Sequence, residues 1–166
     1  MDISLFLDGN AAWLALAGSI LGIFASHLPG RIGALFGLPG TFVHESSHWI
    51  AALLVGARPG LLSLIPRERD GYLVRGYVRV HRLGWFSVAP VALAPLPGGL
   101  FLAWWAFEFA LAPGQSSALA LAWGYLAGSC VWACTPSRSD CQLALSKPLG
   151  LIPVAAGVGA LIALMY

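Results

Sequence analysis

The chain has 166 residues, of which 58% are hydrophobic and 10% charged, and a mean hydropathy of +0.80, beyond what a water-soluble domain of this size needs to fill its core. A net charge of +2 with the arginines gathered in one loop argues against nucleic acid as a partner. Cys130, Cys134 and Cys141 have neither an even count nor CxxC spacing and read as small structural thiols.

A hydrocarbon core of roughly 30 Å takes about 20 apolar residues per helix, which leaves room for about four to six spans in a single membrane domain, residues 1–166. Asp2 and Asp8 precede the first apolar stretch without any Lys or Arg, the wrong flank for a secretory signal peptide, so that stretch is expected to be retained. Apolar runs fall at about 11–28, 32–56, 85–111, 117–134 and 148–166, giving an all-α, multi-pass membrane protein of about five segments. Leu38-Pro39-Gly40 interrupts the second run, and the continuous helix is expected over 41–56 with Thr41 as its N-cap. Between the second and third runs, residues 58–82 read as a small β-hairpin, with alternation in Tyr77-Val78-Arg79-Val80 and a turn at Asp70-Gly71. This loop holds six of the nine basic residues, and the 135–147 connection adds Arg138 and Lys147. The positive-inside rule therefore places both in the cytoplasm, and alternation of five spans gives a cytoplasmic amino terminus and an exported carboxyl terminus.

The strongest local signal is His44-Glu45-Ser46-Ser47-His48, an HExxH sequence inside an apolar run. Residues four apart share a helix face, so two imidazoles can reach one Zn²⁺ while Glu45, one position round, faces the water that attacks a peptide bond. Ionisable groups inside a membrane cost roughly 2.5–3.5 kcal/mol each and persist mainly where they bind something or line a wet cavity. A catalytic zinc needs a third protein ligand. The candidates are His27, His81, Asp2, Asp8, Glu68, Asp70, Glu108, Asp140 and, more remotely, a cysteine. His27 and Asp8 lie near opposite ends of the first span, His81 ends the hairpin, Asp70 serves its turn, and Glu108 sits beside Trp104 and Trp105 as an interfacial, snorkelling acid. Asp140 stands in the turn 135–145 that re-enters an apolar segment from the same face toward which the HExxH helix runs. Its alternative reading is as part of a helix N-cap near Pro136 and Ser137.

Taken together these residues resemble the site-2 protease family of zinc intramembrane metalloproteases, in its small, compact branch. The likeness rests on the segment Phe42 to Arg58 as the metal-binding helix, on Arg75-Gly76-Tyr77-Val78 as the membrane-associated β-segment, on Ser87-Val88-Ala89-Pro90, and on Pro136 to Asp140 as an Asp-bearing turn about 90 residues after the HExxH. It covers roughly residues 41–145. The sequence departs from the pattern at Ser47, where a glycine is common, in lacking an Asn after the third-run Pro, and at Cys141 after Asp140. The resemblance implies one Zn²⁺ per chain on His44, His48 and Asp140, Glu45 as general base, and a transmembrane or membrane-associated protein substrate. So compact a chain is expected to be an integral protein of a prokaryotic cell membrane, with its site toward the cytoplasm by the positive-inside rule. No PDZ or nucleotide-sensing domain fits in the chain, so regulation is expected from a separate protein partner. Two other readings stand beside it. One is a non-catalytic zinc-binding membrane protein, a metal carrier or partner-binding pseudoprotease, which has no use for a general base at Glu45. The other is a proton relay in a transporter, which the lack of an internal repeat disfavours.

Overall fold

The computed structural model describes residues 10–69 and 71–165; Asp2, Asp8 and Asp70 lie outside the described residues. The described chain is mostly helical. In order it forms α1 Asn10–His27, α2 Gly30–Phe36, α3 Leu38–Leu54, β1 Pro59–Ser63, β2 Arg67–Arg69, β3 Tyr72–Val74, β4 Tyr77–Val80, α4 Val88–Leu93, α5 Pro95–Ala110, α6 Ser117–Ala133, α7 Arg138–Ser146 and α8 Leu151–Met165, with a 3-10 turn at Pro148–Gly150 before α8. Among the described residues two helices are long and apolar enough to cross a membrane, Asn10–His27 and the pair α4–α5 running Val88–Ala110. A third is added when α6 and α7, bent by 43°, are taken as one broken span. Five segments of spanning length are not found among the described residues: the runs at 32–56 and 148–166 hold α3 and α8, of 17 and 15 residues, shorter than a span.

Small residues decide how the helices pack. Gly18 and Gly22 of α1 face Gly124 and Gly128 of α6, and a Cβ at any of the four would run into the backbone of the opposite helix. That contact, backbone on backbone, is the small-xxx-small packing favoured where lipid gives helices no hydrophobic reason to associate. Ser19 adds a bond across the seam, its hydroxyl reaching the Gly124 carbonyl at 3.1 Å. The buried apolar side chains of the bundle are chiefly alanines, whereas Trp13, Phe24, Phe101 and Trp104 all face outward. Large apolar groups outside and small ones inside is the distribution that a hydrocarbon solvent permits.

The seam also fixes direction, and here the structure departs from the sequence reading. Ala15 meets Gly124, Ser19 meets Gly128 and Gly22 meets Tyr125 and Ser129, so α1 and α6 run parallel. Strict alternation of five spans makes them antiparallel. The difference arises at Leu28–Phe36. After α1 ends, α2 doubles back until the Phe36 carbonyl accepts a bond from the Tyr125 hydroxyl at 2.6 Å, and α3 then sets off again alongside α6, with Gly40 against Ser129 and His44 against Ala133. The apolar run at 32–56 is therefore a short return followed by a helix, and α1, α3 and α6 all point the same way.

Helix α3 starts three residues before the sequence reading has it. Pro39 sits in the first turn, where an amide N–H has no helical partner to lose, so the helix begins at Leu38 and the break falls at Gly37. Thr41 is consequently a buried residue within α3 and not its N-cap. The helix stops at Leu54, with Gly56 at φ +71 just beyond it. The expected hairpin is present as two ladders. Strands β2 and β3 pair from Arg67↔Val74 to Arg69↔Tyr72 around Gly71 at φ +79, and β1 pairs with β4 antiparallel through a bulge between Pro59 and Leu62.

Candidate metal centre

His44 and His48 lie one turn apart on α3 with their rings 4.8 Å between centroids. Each ring is held from behind by a backbone carbonyl: Nδ1 of His44 bonds to the Ala133 oxygen at the end of α6, and Nδ1 of His48 to the Val91 oxygen of α4, both at 2.8 Å. A carbonyl only accepts, so each Nδ1 carries the proton and each Nε2 keeps its lone pair for a ligand.

Those lone pairs converge. The two Nε2 atoms are 3.2 Å apart. Asp140 places Oδ2 at 3.3 Å from His44 and Oδ1 at 3.4 Å from His48. Two donors that each sit about 2.0–2.1 Å from a tetrahedral ion are separated by about 3.3 Å, so the three spacings fit a single metal ion. Among the described residues this is the one group of three His, Cys, Asp or Glu side chains placed to hold a metal ion.

Asp140 is at once a candidate ligand and part of a cap. Ser137 is the N-cap of α7, its hydroxyl accepting from the Asp140 amide at 3.2 Å, while Asp140 Oδ2 accepts from the Ser137 amide at 2.7 Å. The capping box aims the carboxylate back across the turn, toward the imidazoles.

Glu45 is buried and lines the same cavity of about 1100 Å³, which is walled by α3, by the hairpin segment 73–80 and by the turn 132–143. The hairpin comes very close to it: a Cβ on Gly76 would lie 2.9 Å from Glu45 Cγ and 2.9 Å from Thr41 Cγ2. Thr41, one turn before Glu45, keeps a buried hydroxyl with no bonding partner at the cavity wall. Arg75, beside Gly76, is half-buried, and that burial lowers its guanidinium pKa from the ordinary value.

The remaining candidates lie apart from this group. His27 bonds its own helix through the Ile23 carbonyl, and His81, Glu68, Glu108, Cys130, Cys134 and Cys141 do not join the donor cluster. What the sequence could not offer were the carbonyls of Ala133 and Val91, since every residue carries one, and the approach of Gly76 to Glu45.

Comparison with protein-family models, curated proteins and solved structures finds no match to this chain.

Proposed function

We propose that the chain is a zinc-dependent intramembrane endopeptidase that hydrolyses peptide bonds of transmembrane or membrane-associated proteins. The observation that carries this reading is the convergence of His44, His48 and Asp140 at 3.2 to 3.4 Å in a cavity that Glu45 shares. Two imidazoles and a carboxylate leave a fourth tetrahedral position open, the donor set of catalytic and not of closed structural sites. When bound, zinc supplies Lewis acidity, polarising a carbonyl and lowering the pKa of water toward about 7. Glu45 takes the proton of the attacking water and passes it to the amine nitrogen as the peptide C–N bond breaks. Strand β4 is paired on one edge by β1, and Tyr77, Val78 and Val80 line the cavity. Its other edge offers backbone groups to an extended peptide, which answers the need to unwind a substrate helix before its carbonyls are open to attack.

On this reading α1, α3, α4–α5, α6 and α8 are the membrane segments, in a prokaryotic cell membrane. The arginine-rich hairpin sets the cavity toward the cytoplasm. A carrier or pseudoprotease would bind the metal equally well, and Glu45 separates the two. Elemental analysis of detergent-purified protein should find about one zinc per chain, lost in His44→Ala and Asp140→Ala. Glu45→Gln should keep the zinc and lower cleavage by about 10²–10⁴-fold. Zinc binding without turnover in the wild type would favour the carrier, and absence of zinc after reconstitution would end both readings.

A further inference from the structure

The hairpin packs on α3 through Val80 and through the Trp49 indole, which donates to the Gly60 carbonyl, and one side chain, Arg75, ties it to α1, α2 and α6. Arg75 lies in the two-residue gap between β3 and β4, immediately before the glycine that rests on Glu45. Its guanidinium donates from Nη1 to the Ser26 carbonyl at 2.6 Å and from Nη2 to the Leu28 carbonyl at 3.0 Å. These are carbonyls at the end of α1, which the helix itself leaves without partners. The same group lies over the Trp132 ring, 4.9 Å from its centroid. Its seat is a notch made by two glycines: a Cβ on Gly33 or Gly37 would come 3.1 or 3.0 Å from a guanidinium nitrogen.

Four elements therefore meet on one cation, and two of them, the strand and α6, touch the site residues. The strand carries Gly76 against Glu45. The end of α6 carries Trp132 next to Ala133, whose carbonyl holds the His44 ring. The ends of α1 and α2 form the fixed wall. A planar fork with five donors, able to bond two carbonyls and stack on an indole together, suits this seat, whereas a lysine ammonium has no flat face to stack.

We propose that Arg75 is a positioning residue that latches strand segment 75–78 at the height from which an extended peptide reaches Glu45 and the metal donors. The part that concerns peptide rests on the endopeptidase reading; the latch itself does not. Without the guanidinium, the hairpin keeps its internal ladders but loses its anchor on α1, α2 and α6. The cleft floor, His44, Glu45 and His48 on α3 with Asp140 on α7, stays in place. Peptide binding suffers first, and chemistry on bound peptide much less.

The test compares wild type, Arg75→Ala and Arg75→Lys in detergent by zinc content, amide hydrogen exchange and cleavage of fluorescein-labelled casein as an unstructured probe. In Arg75→Ala, about one zinc per chain should remain, and amides of 76–80 should exchange about tenfold faster while those of α3 and the α1–α6 seam are unchanged. KM for casein should rise about tenfold with kcat altered less than about threefold, and Arg75→Lys should recover part of the loss. Unchanged exchange at 76–80 overturns the latch, as does faster exchange spread through α1, α3 and α6, which marks general loosening. A wild type that holds zinc but leaves casein intact counts against the endopeptidase reading, and exchange at 76–80 still decides the latch.

Discussion

Oxygen Oδ2 of Asp140 meets the Ser137 amide on one side and faces His44 Nε2 on the other, so the carboxylate that closes the donor set is oriented by the cap of its own helix. Ser137→Ala removes the hydroxyl, which is 2.6 Å from Oδ2, and should weaken zinc affinity by about 10–100-fold, the usual cost of losing a group that orients a ligand. Competition against a chromophoric chelator reads this directly, and an unchanged affinity would show that the turn alone sets the carboxylate. Glu45→Gln is the complementary case: it preserves shape and removes the base, so cleavage should fall by about 10²–10⁴-fold at constant zinc content, measured on the same casein probe. At this scale the sequence was informative wherever a side chain acts through its own chemistry. His44 and His48 are a turn apart on one face, and Asp140 is an acid at a turn on the correct side. It was silent wherever backbone acts, because nothing in the letters Ala133 or Val91 says that their carbonyls fix two imidazole tautomers.

Elements were legible where local rules govern them. The alternating segment around Gly71 produced its antiparallel ladders, and the apolar runs produced helices. The start of α3 was misplaced because proline reads as a breaker anywhere but in a first turn, and only the break at Gly37 reveals which case applies. The hairpin's approach to α3 was not legible at all, since it depends on the absence of a side chain at Gly76. Gly76→Ala would set a methyl 2.9 Å from both Glu45 and Thr41 and 3.1 Å from the Ser63 carbonyl, so the strand or Glu45 has to shift. The expected result is a fall in kcat/KM of about 10²-fold with zinc retained, since a misplacement of about 1 Å has that scale of effect. The α1–α6 seam offers a second test with a different readout. Gly124→Leu forces apart two backbones in contact, and overpacking of this kind costs typically about 1–3 kcal/mol. Thermal unfolding in detergent should show the loss, whereas the same change at Gly157, which has open space around it, should not.

Across the whole molecule, the parallel course of α1 and α6 changes where the charges lie. When every apolar run is taken as one crossing, Arg31 falls on the face opposite the hairpin. In the structure it follows α1 directly, at the turn whose Leu28 carbonyl accepts from Arg75, so it shares the hairpin's end of the molecule. All nine basic residues then gather at the end that bears the cavity, and the positive-inside rule, which had one exception, has none. The start of α1 lies at the opposite end of the bundle, toward the α5–α6 connection. The reason this was illegible is that hydropathy reports how many apolar residues occur in a run and not whether the run turns back along its neighbours, as Leu28–Phe36 does. The prediction is a labelling pattern for single cysteines introduced after the three native ones are replaced by alanine. Asn10→Cys and Ser116→Cys should react with a membrane-impermeant maleimide in intact cells, and Arg31→Cys and Arg67→Cys only after permeabilisation. Labelling of Arg31→Cys from outside with Asn10→Cys protected would restore strict alternation, which the contacts of Gly18, Gly22, Gly124 and Gly128 do not allow, and would place the seam itself in error.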